Sequence, residues 1–374
     1  MAPEHKTLLI QSLQQESFTV LMCGDGANDC GALKVADVGI SLSAEEASIA
    51  APFTSSIPDI SCVINLLREG KSALVTSIQT FKYMMLYSMI QFISVSILMC
   101  NGSYLGEWQF MASDLFIIIP LSFFIPLTKA YHKLTYHQPI NDLISFPVIT
   151  SILSQTFISA FFQFLILFMT YKRFPNQIGY CGDMVEDEHP ECVENTSVFD
   201  ISFIQYIITA IAFCRGKPFK EQIFNNYYFF IYVILMSLYC EYIYFHIDWI
   251  SRYILQIIAF PDSSQNITYH KQYGEDFQDY NEDDSGNPQW IFEFKYYIII
   301  LSLINYTLSI IIEFYIIPIF NRWWTRNKIL KIQNEIEIQE IDIDLNMINE
   351  VKNYISIRKK EKQEKIKKKN LKKK

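Results

Sequence analysis

Residues 23–34 read CGDGANDCGALK and continue an apolar run that starts at Phe18. A short apolar run of strand-forming residues that stops at glycine is typical of a buried parallel strand. Asp25 then stands at the carboxyl end of a strand, where open α/β sheets place their ligands. Gly24 and Gly26 permit a tight turn and a close backbone approach. The stretch therefore predicts a ligand-binding loop between a strand and a helix.

The elements on either side of this loop complete a βαβ fragment. The sequence predicts helices at 8–15 and 28–36 and a second strand at 38–42. Two strands are too few for a parallel sheet, which is normally covered on both faces. Residues 1–76 are therefore expected to form part of an α/β unit that does not fold alone.

The loop carries the groups that a phosphate and magnesium site needs. Asp25 and Asp29 supply hard carboxylate oxygens, which suit Mg²⁺, and Asn28 can hydrogen-bond phosphate oxygens without adding negative charge. The alternative is an ordinary polar turn in which Asn28 or Asp29 caps the following helix. A bare Gly-Asp-Gly triplet favours that alternative, whereas the whole string favours the ligand site.

Long apolar runs dominate the rest of the chain. Hydrophobic residues make up 51% of the sequence, and charge is concentrated between the runs, which indicates membrane helices rather than a soluble core. About six spans are predicted, near 78–100, 110–130, 146–171, 200–214, 224–245 and 293–320. The fourth is the weakest, and its start can be moved to Val198. Pro120 and Pro126 should bend or break the second. No signal peptide is expected, because residues 1–6 lack an apolar stretch.

Basic residues between the runs predict which loops face the cytosol. They follow the second, fourth and sixth spans, which places these regions and residues 1–76 on the cytosolic side. The residues are Lys129, His132, Lys133 and His137, then Arg215, Lys217 and Lys220, then Arg322, Arg326, Lys328 and Lys331. Two intervening loops are acidic and carry the sequons 195–197 and 266–268, which are predicted glycosylation acceptors if they are lumenal.

The eight cysteines exclude one kind of site and leave one pairing open. None of them has the spacing of a zinc site. Cys181 and Cys192 share a short polar loop. A disulfide between them is expected if that loop lies in an oxidising compartment, and two free thiols are expected otherwise.

The tail after the last span has two parts. Residues 333–351 mix isoleucine with acids, and their pattern does not separate strand from helix. Residues 358–374 are mostly lysine, which fits either a solvated, disordered tail or contact with anionic lipid headgroups. Next to membrane spans, these lysines do not indicate nucleic-acid binding.

The string at residues 23–34 resembles the Gly-Asp-Gly-x-Asn-Asp hinge motif of the P-type ATPases, which belong to the haloacid-dehalogenase-like superfamily. The resemblance implies a Rossmannoid α/β phosphorylation-domain fragment followed by an all-α transmembrane bundle. It implies that Asp25 helps to hold Mg²⁺ beside an aspartyl phosphate and that Asn28 and Asp29 order the site. The start of the chain resembles the family segment that ends in a phosphate-contacting lysine. Lys6 is then a candidate phosphate ligand, and a solvated lysine is the alternative.

Details of the motif resemble one subgroup. Cys23 and Cys30-Gly31 replace the threonine and proline of most P-type pumps, a departure characteristic of type V. Residues 36–55 and 81–91 resemble subgroup B, whose members export polyamines from late endosomal and lysosomal compartments. The resemblance implies a multi-pass protein of the late endosome, lysosome or vacuole, with the endoplasmic reticulum as the alternative. Its implied cofactors are Mg²⁺ and, in the full-length protein, ATP.

The predicted spans contain a candidate site for a cation. Asp114 lies inside an apolar run, where a carboxylate is costly and is a functional candidate by default. Tyr83, Tyr87 and Gln91 are four residues apart and share one helical face. A cationic amine would pair with Asp114 and contact the tyrosine rings, and the resemblance implies a polyamine along these helices. The alternatives are a structural hydrogen bond for Asp114 and plain packing for the tyrosines.

Several hallmarks of a complete P-type pump do not occur in the 374 residues. There is no Asp-Lys-Thr-Gly-Thr, no Thr-Gly-Glu-Ser actuator loop and no recognisable nucleotide-binding domain. Phosphoryl transfer needs the aspartate of the first motif with ATP positioned against it, so the chain alone is expected not to hydrolyse ATP. Three functions stay open: part of a polyamine pump, part of a pump for a metal cation or a transmembrane helix, and an inactive membrane protein.

Overall fold

The computed structural model describes residues 1–25, 27–42, 51–57, 59–174, 192–246, 249–255, 257 and 294–327. The chain divides into two compact units, Met1–Glu313 and Phe314–Lys374. In the second unit, residues 314–327 are helical, and the rings of Phe320 and Trp323 stack with their centroids 5.8 Å apart. The α/β portion and the membrane helices as far as Glu313 belong to the first unit.

The expected α/β fragment is present and has a third strand. Its elements are α1 (Pro3–Gln15), β1 (Leu21–Gly24), α2 (Cys30–Val35), β2 (Val38–Ser41) and β3 (Phe53–Thr54). The strands are parallel in the order β1-β2-β3, with Leu21 opposite Val38 and Ile40 opposite Phe53. The sequence does not predict β3, because a strand of two residues leaves no periodic pattern.

Helix α3, Ser61–Cys100, runs for 40 residues and contains no proline. At 1.5 Å per residue it is roughly 60 Å long, which is about twice the thickness of the hydrocarbon core of a bilayer. The predicted span 78–100 therefore covers only its second half. The first half connects the α/β portion to the membrane portion.

Among the described residues, five helices are long and apolar enough to cross a membrane. They are α3, the compound span Glu107–Leu127, α6 (Phe146–Arg173), α7 (Val193–Phe213) and the helix Phe294–Asn327, which begins with α10 (Phe294–Ile311). The fifth predicted span is α8 (Tyr227–Phe245), whose apolar stretch Tyr227–Ile243 is shorter, and it is followed by the short α9 (Trp249–Tyr253). The structure thus has the α/β fragment and the apolar helical bundle that the sequence predicts.

Helix α7 lies at the centre of the bundle and packs against α3, α6, α8 and α10. In its apolar window 89% of the residues are buried, compared with 33–39% in the other four spans. Because protein rather than lipid surrounds it, α7 tolerates polar residues, and it has the lowest mean hydropathy of the five, 1.5. This explains both its weak signal in the sequence and its start at Val193 rather than near Val198.

The burial of α7 corrects one prediction. Asn195, the acceptor of the first sequon, is fully buried inside this helix. A sugar cannot be attached to a side chain that is packed against protein on all sides, so the prediction of a glycosylation acceptor at Asn195 is wrong. The sequon 266–268 lies outside the described residues.

Contacts between loops bear on the predicted orientation. Glu221 N, after α7, donates to Lys129 O, after the compound span, at 2.9 Å. Lys71, in the first half of α3, donates to the carbonyls of Thr135 and His137. Two of the three basic regions therefore lie at the same end of the bundle as the first half of α3, as the positive-inside prediction requires.

Some predictions fall on residues that the structure does not describe. Cys192 is disulfide-bonded, but Cys181 lies outside the described residues, so the pairing of these two cysteines stays a prediction. Both parts of the tail, 333–351 and 358–374, also lie outside them.

Candidate functional site

The hinge loop begins where β1 ends, at Gly24. A Cβ atom placed on Gly24 would lie 2.7 Å from Asp29 Oδ2 and 2.8 Å from Asp29 Cβ. These distances are well below van der Waals contact, so only glycine lets Asp29 fold back against the strand. The loop geometry therefore depends on Gly24 even before a ligand binds.

Lys6 and Asp29 meet across 23 positions of sequence. Lys6 Nζ lies 2.6 Å from Asp29 Oδ1, and the two side chains are 31% and 10% exposed. Helix α1 carries the lysine, and the start of α2, which packs on α1, positions the aspartate. The pair is thus built by helix packing, and its ammonium group remains within reach of solvent.

Asp25 and Asn28 are exposed on the same loop. The Asp25 carboxylate accepts no hydrogen bond within the described residues, which leaves it available to a cation. Mg²⁺ commonly uses one or two protein carboxylates and completes its shell with water and phosphate. The described residues contain no group of three or more His, Cys, Asp or Glu side chains that could hold a metal. One carboxylate of the loop, that of Asp25, is therefore open to an ion.

The thiol next to this loop adds no charge to it. Burial raises the pKa of Cys23, and the neighbouring Cys62 and Asp25 raise it further. A raised thiol pKa keeps Cys23 protonated at neutral pH, so it is neither a thiolate ligand nor a nucleophile there.

In the membrane portion, Asp114 is the first residue of a π-helical segment, Asp114–Ile118, inside the compound span. The residue is half-buried, and its Oδ1 atom is buried with no hydrogen-bond partner among the described residues. π-Helical turns often occur at functional sites. The carboxylate therefore has an unused acceptor in an apolar setting, where a cation would be its natural partner.

Two tyrosines of α3 and one of α7 form the aromatic part of this candidate site. Tyr83 is fully buried, and its hydroxyl has no partner in the described part of the chain, while Tyr87 is half-buried. Tyr206 of α7 interacts electrostatically with both Asp114 and Tyr87. The sequence does not single out Tyr206, because α7 gives the weakest span signal. Gln91 is half-buried and makes no hydrogen bond to Asp114 within the described residues.

Helix α8 holds the compound span where a proline interrupts it. The span continues as α5 (Ile119–Phe124) and ends in a 3₁₀ turn, Ile125–Leu127. Pro120 has no N–H to offer the carbonyl of Phe116 four residues earlier. The hydroxyl of Tyr232 donates to that carbonyl, and its ring lies 5.1 Å from the ring of Phe124. A side chain of α8 thus replaces a missing helical bond.

Two more side chains satisfy carbonyls at the end of the same span. Asn226 Nδ2 donates to Phe124 O at 2.7 Å. Lys220 Nζ lies 3.3 Å from Ile125 O and 3.3 Å from Gln79 Oε1. Lys220 is only 2% exposed, and its burial lowers its pKa. The sequence indicates only that Lys220 is a basic loop residue, whereas in the structure its ammonium group caps a helix end.

A second charged cluster, which the sequence analysis does not single out, lies where α3, α6, α7 and α10 meet. Lys82 Nζ lies 2.5 Å from Glu313 Oε1, and their side chains are 11% and 10% exposed. Ser151 Oγ donates to Glu313 Oε2 at 2.6 Å. The same ammonium group lies 4.2 Å from the ring centroid of Phe213. A lysine inside a predicted span does signal a partner, but its partner is 231 positions away.

No protein-family model matches the chain, whereas curated proteins match it closely. The chain is 43% identical over 281 residues to polyamine-transporting ATPase 13A3 of Homo sapiens, which covers 70% of this chain and 23% of that protein. It is 44% identical over 232 residues to vacuolar cation-transporting ATPase YPK9 of Saccharomyces cerevisiae (62% and 16%). It is 43% identical over 237 residues to polyamine-transporting ATPase 13A2 of Homo sapiens (63% and 20%). The chain therefore spans 16–23% of the length of these three relatives.

Proposed function

We propose that this chain, which belongs to the type V P-type ATPases of subgroup B, supplies the magnesium-binding hinge loop and the C-terminal membrane helices of a pump that uses ATP to move a polyamine across an endomembrane. Two of its relatives are named polyamine-transporting ATPases. Five candidate membrane spans among the described residues make the chain a multi-pass membrane protein. The compartment we propose is the late endosome, lysosome or vacuole, in agreement with the name of the yeast relative.

The proposal divides the chain into three parts. Residues 1–76 form the end of the phosphorylation domain and the stalk, residues 77–321 form the transmembrane domain, and residues 322–374 form a cytosolic charged tail. The first boundary falls within the long helix α3, which joins the hinge loop region to the membrane without interruption. The lysines of the tail would contact anionic lipid.

The observation that carries the substrate proposal is the unpartnered oxygen of Asp114. A carboxylate inside an apolar helix is stable only if a charge or hydrogen-bond donor joins it. An alkylammonium group supplies both, and the rings of Tyr87 and Tyr206 offer faces for cation–π contact. Gln91, one turn beyond Tyr87, offers an amide to a second amino group. A flexible chain with several amino groups therefore suits this set better than a bare metal ion, which needs more oxygen ligands.

The hinge loop is proposed to act on a phosphoryl group. When bound, Mg²⁺ would neutralise charge on the phosphoryl oxygens. Asp25 would hold the ion, Asn28 would hydrogen-bond the phosphate, and Asp29 would keep Lys6 in place. Lys6 is partly exposed while it is paired, so its ammonium group can also contact a phosphate while it stays near Asp29. ATP would be bound by other parts of the full-length pump.

The substitution Asp114→Asn in the full-length gene product tests the substrate site. It removes the negative charge but keeps the size of the side chain, so ATP-dependent uptake of labelled spermine into vesicles should fall by at least tenfold. Phosphoenzyme formation from ATP should persist, because the hinge loop is untouched. Asp37→Asn makes the same chemical change on the soluble surface and should leave uptake unchanged.

Unchanged spermine uptake by Asp114→Asn would overturn the role of Asp114. A pump for a metal cation is the competing function, and the name of the yeast relative, a cation-transporting ATPase, favours it. Labelled metal ions in the same vesicles separate the two functions. Uptake of a metal ion but not of spermine would establish the competing function.

A further inference from the structure

A row of buried polar side chains runs between α6 and the helix Phe294–Asn327, which begins with α10. Its eight members, here called the polar seam, are each less than 9% exposed: Ser151, Gln155, Ser159 and Gln163 on one side, and Ser302, Asn305, Ser309 and Glu313 on the other. On α6 they recur every four residues, on one helical face. From Ser151 to Gln163 the seam covers roughly 18 Å, more than half of a hydrocarbon core of about 30 Å.

Two hydrogen bonds fix the register of the seam. Ser151 Oγ donates to Glu313 Oε2 at 2.6 Å, and Gln155 Nε2 donates to Ser309 O at 2.9 Å. A step of four residues forward on α6 thus matches a step of four residues back on the facing helix, as in antiparallel helices. Continuing this register places Ser159 at the level of Asn305. The polar residues of the two helices therefore face one another as far as Ser159, whereas Gln163 donates to Gln205 Oε1 of α7 at 3.0 Å.

Three amide atoms in the seam have no partner within the described residues. Gln155 Oε1, Gln163 Oε1 and Asn305 Nδ2 are buried and make no hydrogen bond. Their parent residues are 0%, 0% and 1% exposed. A buried polar group without a partner costs about 1–3 kcal/mol, so three in one seam indicate that a ligand satisfies them.

The chemistry of these atoms selects the ligand. Gln155 and Asn305 meet at Ser309, because Gln155 Nε2 donates to Ser309 O while Ser309 Oγ donates to Asn305 Oδ1 at 3.3 Å. At this place, the unpartnered atom Gln155 Oε1 is an acceptor and the unpartnered atom Asn305 Nδ2 is a donor. A metal ion satisfies oxygen but is repelled by an N–H group. The carboxylate of the seam, Glu313, already has the charge of Lys82. The ligand must therefore be neutral, small, and able both to donate and to accept.

We propose that the polar seam binds water, with one molecule bridging Gln155 Oε1 and Asn305 Nδ2 and another donating to Gln163 Oε1. Buried waters occupy sites that offer two to four polar partners, which this place provides. The site is independent of the proposed transport function, since none of its residues lies in the Asp114 site.

The test measures melting temperatures of the full-length protein in detergent. Asn305→Leu removes the unpartnered Nδ2 atom. The double variant Asn305→Leu with Gln155→Met also removes the unpartnered Oε1 atom of Gln155. Both variants keep the side-chain volume. If water satisfies these atoms, both variants lose hydrogen bonds and melt at a lower temperature. Asn101→Leu is the matched control, because Asn101 donates to Ile97 O at 2.6 Å and accepts from the Tyr171 hydroxyl at 2.5 Å. Asn305→Leu should resemble this control in direction.

A dry seam predicts a smaller loss. Asn305→Leu removes the hydrogen bond from Ser309 Oγ to Asn305 Oδ1 in either case, but in a dry seam it also removes an unpartnered donor and so relieves a penalty. Ser309→Ala removes that hydrogen bond alone, so a melting temperature of Asn305→Leu above that of Ser309→Ala would overturn the proposal. A density map of the full-length protein that resolves waters gives a second answer. It should show a water within about 3 Å of Gln155 Oε1 and Asn305 Nδ2, and a resolved seam without that water would also overturn it.

Discussion

The α/β portion and the membrane portion each contain a lysine paired with a carboxylate at nearly the same distance. Lys6 and Asp29 are 2.6 Å apart, and Lys82 and Glu313 are 2.5 Å apart. The lysine side chain is 31% exposed in the first pair and 11% exposed in the second. The two carboxylates are equally buried, at 10% exposed, so the pairs differ in the access of water to the lysine. Water can solvate the ammonium group of Lys6 when the first pair opens, whereas Lys82 is enclosed where four helices meet. The first pair can therefore open at a lower cost in free energy than the second.

The largest expected effect comes from breaking the membrane pair. Lys82→Met leaves Glu313 buried without its counter-charge, which costs about 3–5 kcal/mol, and should lower the melting temperature of the full-length pump strongly. The double variant Lys82→Met with Glu313→Met removes both charges and should recover most of the loss. Lys34→Met, at an exposed lysine of α2, is the control and should change little. If Lys82→Met is as stable as the wild type, the membrane pair does not hold the helices together, and the contrast between the two pairs is wrong.

A smaller effect is expected where α8 supports the compound span. Tyr232→Phe keeps the ring contact with Phe124 but leaves the carbonyl of Phe116 without its donor. The loss should be about 1–3 kcal/mol, seen as a lower melting temperature together with a raised KM for spermine. Tyr228→Phe is the matched control, because Tyr228 also stacks on Phe124 but is 71% exposed. Equal losses for the two variants would show that the hydrogen bond from Tyr232 to Phe116 O makes no specific contribution.

Opening the first pair should affect activity more than stability. Lys6→Met leaves Asp29, whose side chain is 10% exposed, without its counter-charge. The melting temperature should therefore fall, but less than for Lys82→Met, because the Lys6 end of the pair is partly in water. Phosphoenzyme formation should nevertheless slow by at least tenfold, because the ammonium group would no longer meet the phosphate. Lys6→Arg should keep part of the rate. Normal phosphorylation of Lys6→Met would mean that this pair is structural, like the second.

The smallest effect is expected at the surface, where Asp37 accepts a hydrogen bond from Val20 N at 2.8 Å. This bond, followed by one from Gln14, lowers the pKa of Asp37. A lowered carboxyl pKa adds stability above the ordinary value of about 3.9, and this stability is lost as the pH falls through the lowered pKa. Asp37→Asn should reduce the melting temperature slightly at pH 7, and the difference from wild type should shrink on acidification. A difference that grows on acidification would contradict this sign.

The sequence predicts those parts of the molecule that depend on local pattern. The strand, loop and helix around Asp25 follow from a short apolar run and its turn residues, and the spans follow from apolar length. The central helix α7 is less visible, because burial in protein permits it to carry Asn195 and other polar residues. The outer helices of the bundle are thus easier to predict than the central helix that they enclose.

Pairings between distant segments could not be predicted. The tyrosine that replaces the bond lost at Pro120 belongs to another helix, and so does the partner of Lys82. Lys220 looks like any loop lysine until its burial against Ile125 is seen. Each of these residues has an ordinary sequence context, and only the fold brings it to a group in need of a donor or a charge.

The unbroken length of α3 also has a mechanical consequence. A rigid helix of roughly 60 Å converts a rotation of about 5° at its soluble end into a displacement of roughly 5 Å at its far end. Tyr87 and Gln91 lie in the second half of the helix, where the displacement is roughly 3–4 Å. A rearrangement too small to disturb the sheet would therefore shift these side chains by about the length of a hydrogen bond.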